Sequence, residues 1–328
     1  GPKISELPND ATYGGNTDNE YTQKFGKQQG KYYVPQRAAA GLDPWATPQA
    51  YDNAKDFFDT GITWSNSLNV AQMLDKSSYS ISLGNTHQDG IISSTGMDRY
   101  NVKVSADTKL TNNWSSGFTA NYITTSIDKA VTSGNGLLRT VYAAPPSYDL
   151  AGIPSHVDGN PYTQNSFRGS FDNAYWAMEN NKFTEDTNRF FGNVYASYQT
   201  DFGTTNHKLN AKYMVGVDAY TTHYVDSYGY GSNTGGGRGQ IENYGWTNAT
   251  YNSLLTINYD WHINEDWGLN AVVGNEIIQS NRKKYYEYGT NYNFPGWNHI
   301  NNATTQQTEE ETWKNRTCLL YTSPSPRD

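Results

Sequence analysis

The strand-like segments of this chain are joined by connections that alternate strictly between short and long, and few architectures tolerate that pattern. Segments with a strand period fall at about 62–73, 77–87, 98–109, 114–127, 187–200, 207–221, 245–261 and 267–287. The links LDKS near Leu74, KLTNN near Leu110, FGTTN near Phe202 and HINED near His262 are short. Those around 88–97, 128–186, 222–244 and 288–308 are long, and residues 1–60 precede the first strand as another long segment. A transmembrane barrel has this asymmetry because every second connection faces the outside. A Greek-key sandwich has no reason to place its long links on every second turn.

Within the segments, side chains alternate with a period of two. Tyr100, Val102, Val104 and Ala106 share one face of their strand and Asn101, Lys103, Ser105 and Asp107 the other. Across the TNN turn, Trp114, Phe118, Ala120 and Tyr122 oppose Ser115, Gly117, Thr119 and Asn121. Leu209, Ala211, Tyr213, Val215 and Val217 repeat the pattern, with Met214 as an apolar exception on the wet face. Leu255, Ile257, Tyr259 and Trp261 repeat it again. One face apolar and one face polar suits either a soluble sandwich or a barrel that turns its apolar face to lipid. Trp114, Tyr259, Trp261 and Trp267 cluster beside the short turns, where a barrel carries an aromatic girdle.

Composition agrees with a β-rich chain. The mean hydropathy is −0.81 and the net charge −8, yet only 17% of residues are charged and 14% are aromatic. A disordered chain of such polarity would carry more charge and fewer rings. No run approaches the roughly 18 apolar residues of a spanning helix, and no basic stripe would neutralise nucleic-acid phosphates. Cys318 is the sole cysteine and lies in CLLYTSPSPRD, where the sequence changes character abruptly after ETWKNRT. Residues 318–328 therefore read as a non-native adaptor tail, residues 62–317 as a partial barrel, and residues 1–61 as an extracellular segment leading into it. Gly1 opens the chain in loop-like sequence with no signal-peptide pattern.

The stretch KDFFDTGITWSNSLNV, followed by SSYSISLGNTHQDGIISSTGMDRYNVKVSADTKLTNNWSSGFTANY, resembles the early barrel of SusC/RagA-type TonB-dependent outer-membrane transporters of Bacteroidetes. The family's FF-x-TG segment matches Phe57, Phe58, Thr60 and Gly61, and its Y-x-x-S-L-G strand matches Tyr79, Ser82, Leu83 and Gly84. Its Q-x-G-I loop matches Gln88, Gly90 and Ile91, its R-Y-N strand entry matches Arg99, Tyr100 and Asn101, and the opening GPKI is similar to its WGP loop. The resemblance implies an all-β fold, about eight strands of a barrel of about 22. It implies import of glycan or peptide fragments with a SusD-like surface lipoprotein, driven by the TonB complex through a region outside this chain. The fragment itself would not transport, and its place would be the outer membrane. A secreted glycan-binding β-sheet protein is the alternative.

Catalytic and metal-binding patterns are missing from the sequence. The six histidines are scattered, Gly229 and Gly231 do not complete a dinucleotide fingerprint, and there is no Gly-x-Ser-x-Gly elbow. No enzyme activity and no cofactor are expected. Asp172, Glu179, Glu185 and Asp186 read as solvated loop charges, and the glycine-rich SYGYGSNTGGGRGQ as mobile. Binding is the remaining chemistry. Rings flanked by amides and charges stack on and hydrogen-bond to sugars, and Tyr162, Phe167, Arg168, Tyr175 and Trp176, with Tyr228, Tyr230 and Trp297, fit that description. A short helix is expected near Ala174.

Overall fold

Although short and long connections alternate, each strand pairs with the strands before and after it in sequence, so the chain meanders. The computed structural model describes residues 3–131, 136–203 and 206–327, with the side chains of 323–327 set aside. Gly1 and Pro2 of the GPKI opening, and Thr204 and Thr205 of the FGTTN turn, lie outside the described residues. Nine strands form one open antiparallel sheet in sequence order. They are β1 (Thr63–Met73), β2 (Ser77–Asp89), β3 (Gly96–Lys109), β4 (Trp114–Lys129), β5 (Lys182–Phe202), β6 (His207–Tyr228), β7 (Gln240–His262), β8 (Gly268–Tyr292) and β9 (Ala303–Arg327). Eight match the segments read from the sequence. The ninth, β9, begins inside what reads as a loop because TTQQTEEE has no apolar alternation, and its ladder with β8 carries it past ETWKNRT to Arg327.

Register decides whether the alternating faces add up across the sheet. One row of paired residues runs Gln72, Tyr79, Ala106, Phe118, Val194, Val215, Ser253, Ile277, Cys318. The adjacent row on the opposite face runs Ser80, Ser105, Thr119, Asn193, Gly216, Asn252, Ile278. A slip of one residue in any pair would mix the faces, so this register keeps the apolar side chains of β1 to β8 mostly on one side, interrupted at Gln72 and Ser253, and the polar ones mostly on the other, where Ile278 is an exception. The apolar surface is bare: Leu68, Ile81, Val102, Phe118, Val194, Val215 and Val273 are all exposed.

The apolar band has a defined height. On β7 it runs from Tyr251 to Trp261, eleven residues, about 34 Å along the strand and about 24 Å at a tilt of about 45°. At its short-turn edge Trp114 lies 4.9 Å from Tyr198, and the His207 ring stacks between Phe202 at 5.0 Å and Trp261 at 5.4 Å. Tyr100, Tyr122, Phe190 and Tyr251 mark the other edge. Strands β5 to β9 continue well beyond it.

Everything long lies at that far end. Residues 3–62 and the connection 136–181 fold together there around a buried cluster that includes Tyr32, Phe57, Leu137, Val141, Leu150, Ile153 and Trp176. Short helices shape it: α1 (Glu20–Phe25), α2 (Pro35–Ala39), α3 (Asn53–Phe57), α4 (Leu137–Ala143) and α5 (Ala174–Asn180). Asn173 caps α5 by accepting from the Tyr175 and Trp176 amides, and is itself buried. A smaller cluster of Ile241, Tyr292 and Ala303 closes the top of β7, β8 and β9.

Candidate functional site

The N-terminal segment reaches the 136–181 connection through specific polar contacts. The Tyr32 hydroxyl donates to the Ser147 carbonyl at 2.7 Å, and Asn165 Nδ2 donates to the Gln36 carbonyl at 2.8 Å. Asn53 accepts from the Leu150 amide at 3.1 Å and donates to the Pro145 carbonyl at 3.3 Å. Between the two segments these contacts leave a cavity of about 360 Å³. Tyr13, Tyr32, Tyr33, Tyr51, Tyr148 and Phe167 supply its rings, and Arg37, Asp10 and Asp149 its charges. Burial pushes the Tyr148 phenol well above the ordinary tyrosine range, with Asp149 adding to the shift. Burial also raises Tyr32, where Tyr51 and Asp149 add to the rise and Arg37 opposes it.

The glycine-rich segment is held, contrary to the expectation of mobility. Asp172 is buried and accepts from Gln164 Nε2 at 2.7 Å, the Ser232 hydroxyl at 2.6 Å, and both the amide and Nδ2 of Asn233 at 2.8 Å. Asp172 is thus the clasp of the 229–239 turn rather than a solvated charge, because four donors replace its water. Gly231 is required there: its φ of +102° is left-handed, and the Tyr162 carbonyl and the Trp176 ring occupy the space a side chain would need.

The eight residues singled out from the sequence do not converge. Phe167 lines the cavity and lies 5.5 Å from the Tyr148 ring. Arg168 is exposed beside it, its guanidinium 5.3 Å from the Phe171 ring. Trp176 is fully buried, and its Nε1 donates to the Pro161 carbonyl at 3.0 Å, so in this structure it is a core residue and presents no face to a ligand. Tyr175 packs edge-on against Phe57 at 5.3 Å, and Tyr228 edge-on against Phe183 at 5.2 Å. Tyr230 packs on the smaller cluster. Tyr162 and Trp297 are exposed, with the Tyr162 hydroxyl against Gly296 and Trp297 stacked 5.0 Å from His299.

The polar face of the sheet carries a second set of rings. Tyr224 stacks on Tyr244 at 4.8 Å and lies 5.6 Å from Trp246, with Lys129 Nζ 4.7 Å above the Tyr224 ring. Lower down, Arg189 donates two hydrogen bonds to Asp218 at 2.9 and 2.6 Å, and Tyr195 donates to Asp107 at 2.7 Å. Extending the period of two along β6 and β7 would have flagged Tyr224, Tyr244 and Trp246 in the sequence. No local signal marks Tyr32, Tyr51, Tyr148 or Arg37, since only tertiary docking assembles them. Among the described residues no group of histidines, cysteines or carboxylates could hold a metal ion.

Comparison with solved structures decides the architecture. The chain superposes on the RagAB peptide importer in its closed-closed state with a TM-score of 0.66 at 15% identity, covering 85% of this chain and 31% of that one. The open-open state of that importer gives 0.65 at 14% identity with the same coverage. The sheet is a barrel segment. It shares the fold expected from the SusC/RagA resemblance, and it spans about a third of the importer chain it matches. No protein-family model and no curated protein sequence matches the chain.

Proposed function

We infer that this chain is part of a TonB-dependent outer-membrane transporter that imports glycan or peptide fragments together with a SusD-like surface lipoprotein. The carrying observation is the wide apolar surface on one side of the registered strands β1 to β8, backed by a polar surface of paired charges and hydroxyls. An exposed apolar patch that wide is incompatible with water and fits lipid. The polar face then lines the lumen, the short turns point to the periplasm, and the loop assembly stands outside the cell, where substrate and lipoprotein arrive. The RagAB structures support the reading, since they share the fold and belong to a peptide importer.

TonB would act through a part of the transporter outside this chain. The chemistry here is capture and passage, with no bond made or broken. Purification of the full transporter from outer membranes tests this: it should migrate faster unheated than boiled in detergent gels and carry a surface lipoprotein with it. A monomer soluble without detergent would instead support the secreted glycan-binding alternative.

A further inference from the structure

The cavity between the N-terminal segment and the 145–153 stretch contains an unanswered polar group. Tyr148 is 8% exposed, lines the cavity, and its hydroxyl has no hydrogen-bond partner among the described residues. Buried hydroxyls are nearly always paired, because leaving one orphaned forfeits its hydration for nothing. The cavity also holds opposite charges that are not used on each other. Arg37 donates its Nε to the Asp43 carbonyl at 2.7 Å, and neither it nor Asp10 nor Asp149 belongs to an ion pair among the described residues. The remaining lining is aliphatic as well as aromatic, including Val34, Ala46 and Ile153.

A neutral oligosaccharide has no use for a guanidinium and two carboxylates lining one cavity, and it stacks on flat rings rather than aliphatic side chains. A short peptide meets all three features. Its ammonium suits Asp10 and Asp149, its carboxylate suits Arg37, an apolar side chain suits the Ile153 and Phe167 wall, and an amide carbonyl can accept from Tyr148. Resting on the transporter reading above, we propose that this cavity is a subsite for a zwitterionic short peptide with an apolar side chain. The cavity thereby selects peptide over neutral glycan at the outer surface.

The test uses the full transporter purified in detergent and calorimetric titration with three probes: the tripeptide Ala-Phe-Ala, the same peptide acetylated and amidated at its ends, and maltotriose. The free tripeptide should bind, and capping both ends should weaken it about tenfold or more. Tyr148→Phe should weaken the free tripeptide about fivefold while leaving the melting temperature unchanged or raised, because it deletes an orphan hydroxyl. A purely structural tyrosine would show the opposite split. Equal binding of capped and free peptide, preferential binding of maltotriose, or no binding of any probe to folded protein overturns the proposal. Heat-modifiable migration, measured on the same samples, reports the barrel independently, so failure of the subsite is distinguishable from failure of the transporter reading.

Discussion

The wall and the loop assembly of this molecule bury their apolar side chains by opposite routes. In the loop assembly, Trp176, Leu150 and Val141 are almost wholly buried against other parts of the chain. In the wall, Phe118, Val194 and Val215 are 43%, 52% and 41% exposed, and the few buried apolar strand residues, such as Ile241 and Tyr292, sit at the loop end. The wall therefore needs an apolar solvent to supply what the loop assembly supplies to itself. Its own order comes from backbone ladders in register, whereas the loop assembly depends on side-chain packing and on capped, clasped turns.

That difference can be broken from either side. The largest effect should come from Trp176→Ala, which removes the biggest fully buried side chain and its hydrogen bond to Pro161, at a cost of about 3–5 kcal/mol. Limited proteolysis of the folded transporter should then cut within 136–181 while the wall stays protected. Val194→Arg places a charge in the middle of the apolar band and should cost about 2–4 kcal/mol of stability in lipid, read by denaturant unfolding from vesicles. Its inward neighbour Asn193→Arg should cost far less, since it meets water.

Asp172→Asn replaces two acceptor oxygens with one acceptor and a donor opposite Ser232, Asn233 and Gln164. It should release the 229–239 turn at a cost of about 1–3 kcal/mol, visible as new cleavage after Arg238. The smallest effect is expected from Arg189→Ala on the polar face. Its pair with Asp218 is bidentate but nearly half exposed, so stability should fall by less than about 1 kcal/mol.

Much of the wall was legible in the sequence because a strand facing two solvents writes its environment at every second residue. Val102, Val104, Phe118, Ala120, Val215 and Leu255 fall on the face their spacing predicts. The exception is β9, whose polar start offers no period to read. The loop assembly was poorly legible. Its rings look alike in sequence whether they meet a ligand or a core, so Trp176 reads as a binding platform although it is buried, and Asp172 reads as solvated although four donors surround it. The cavity residues Tyr32 and Arg37 lie more than a hundred positions from Tyr148 and meet it only through contacts such as that of Tyr32 with Ser147.

If the two faces of the wall meet different solvents, residues 117–123 on β4 must sample lipid and water in turn. Spin labels placed one at a time along this stretch, in the full transporter freed of other cysteines and reconstituted in vesicles, report access to oxygen dissolved in lipid and to a water-soluble nickel chelate. A period of two is expected, with Phe118, Ala120 and Tyr122 relaxed by oxygen and Gly117, Thr119 and Asn121 by the chelate. Uniform access to the chelate at Phe118, Ala120 and Tyr122 would contradict it.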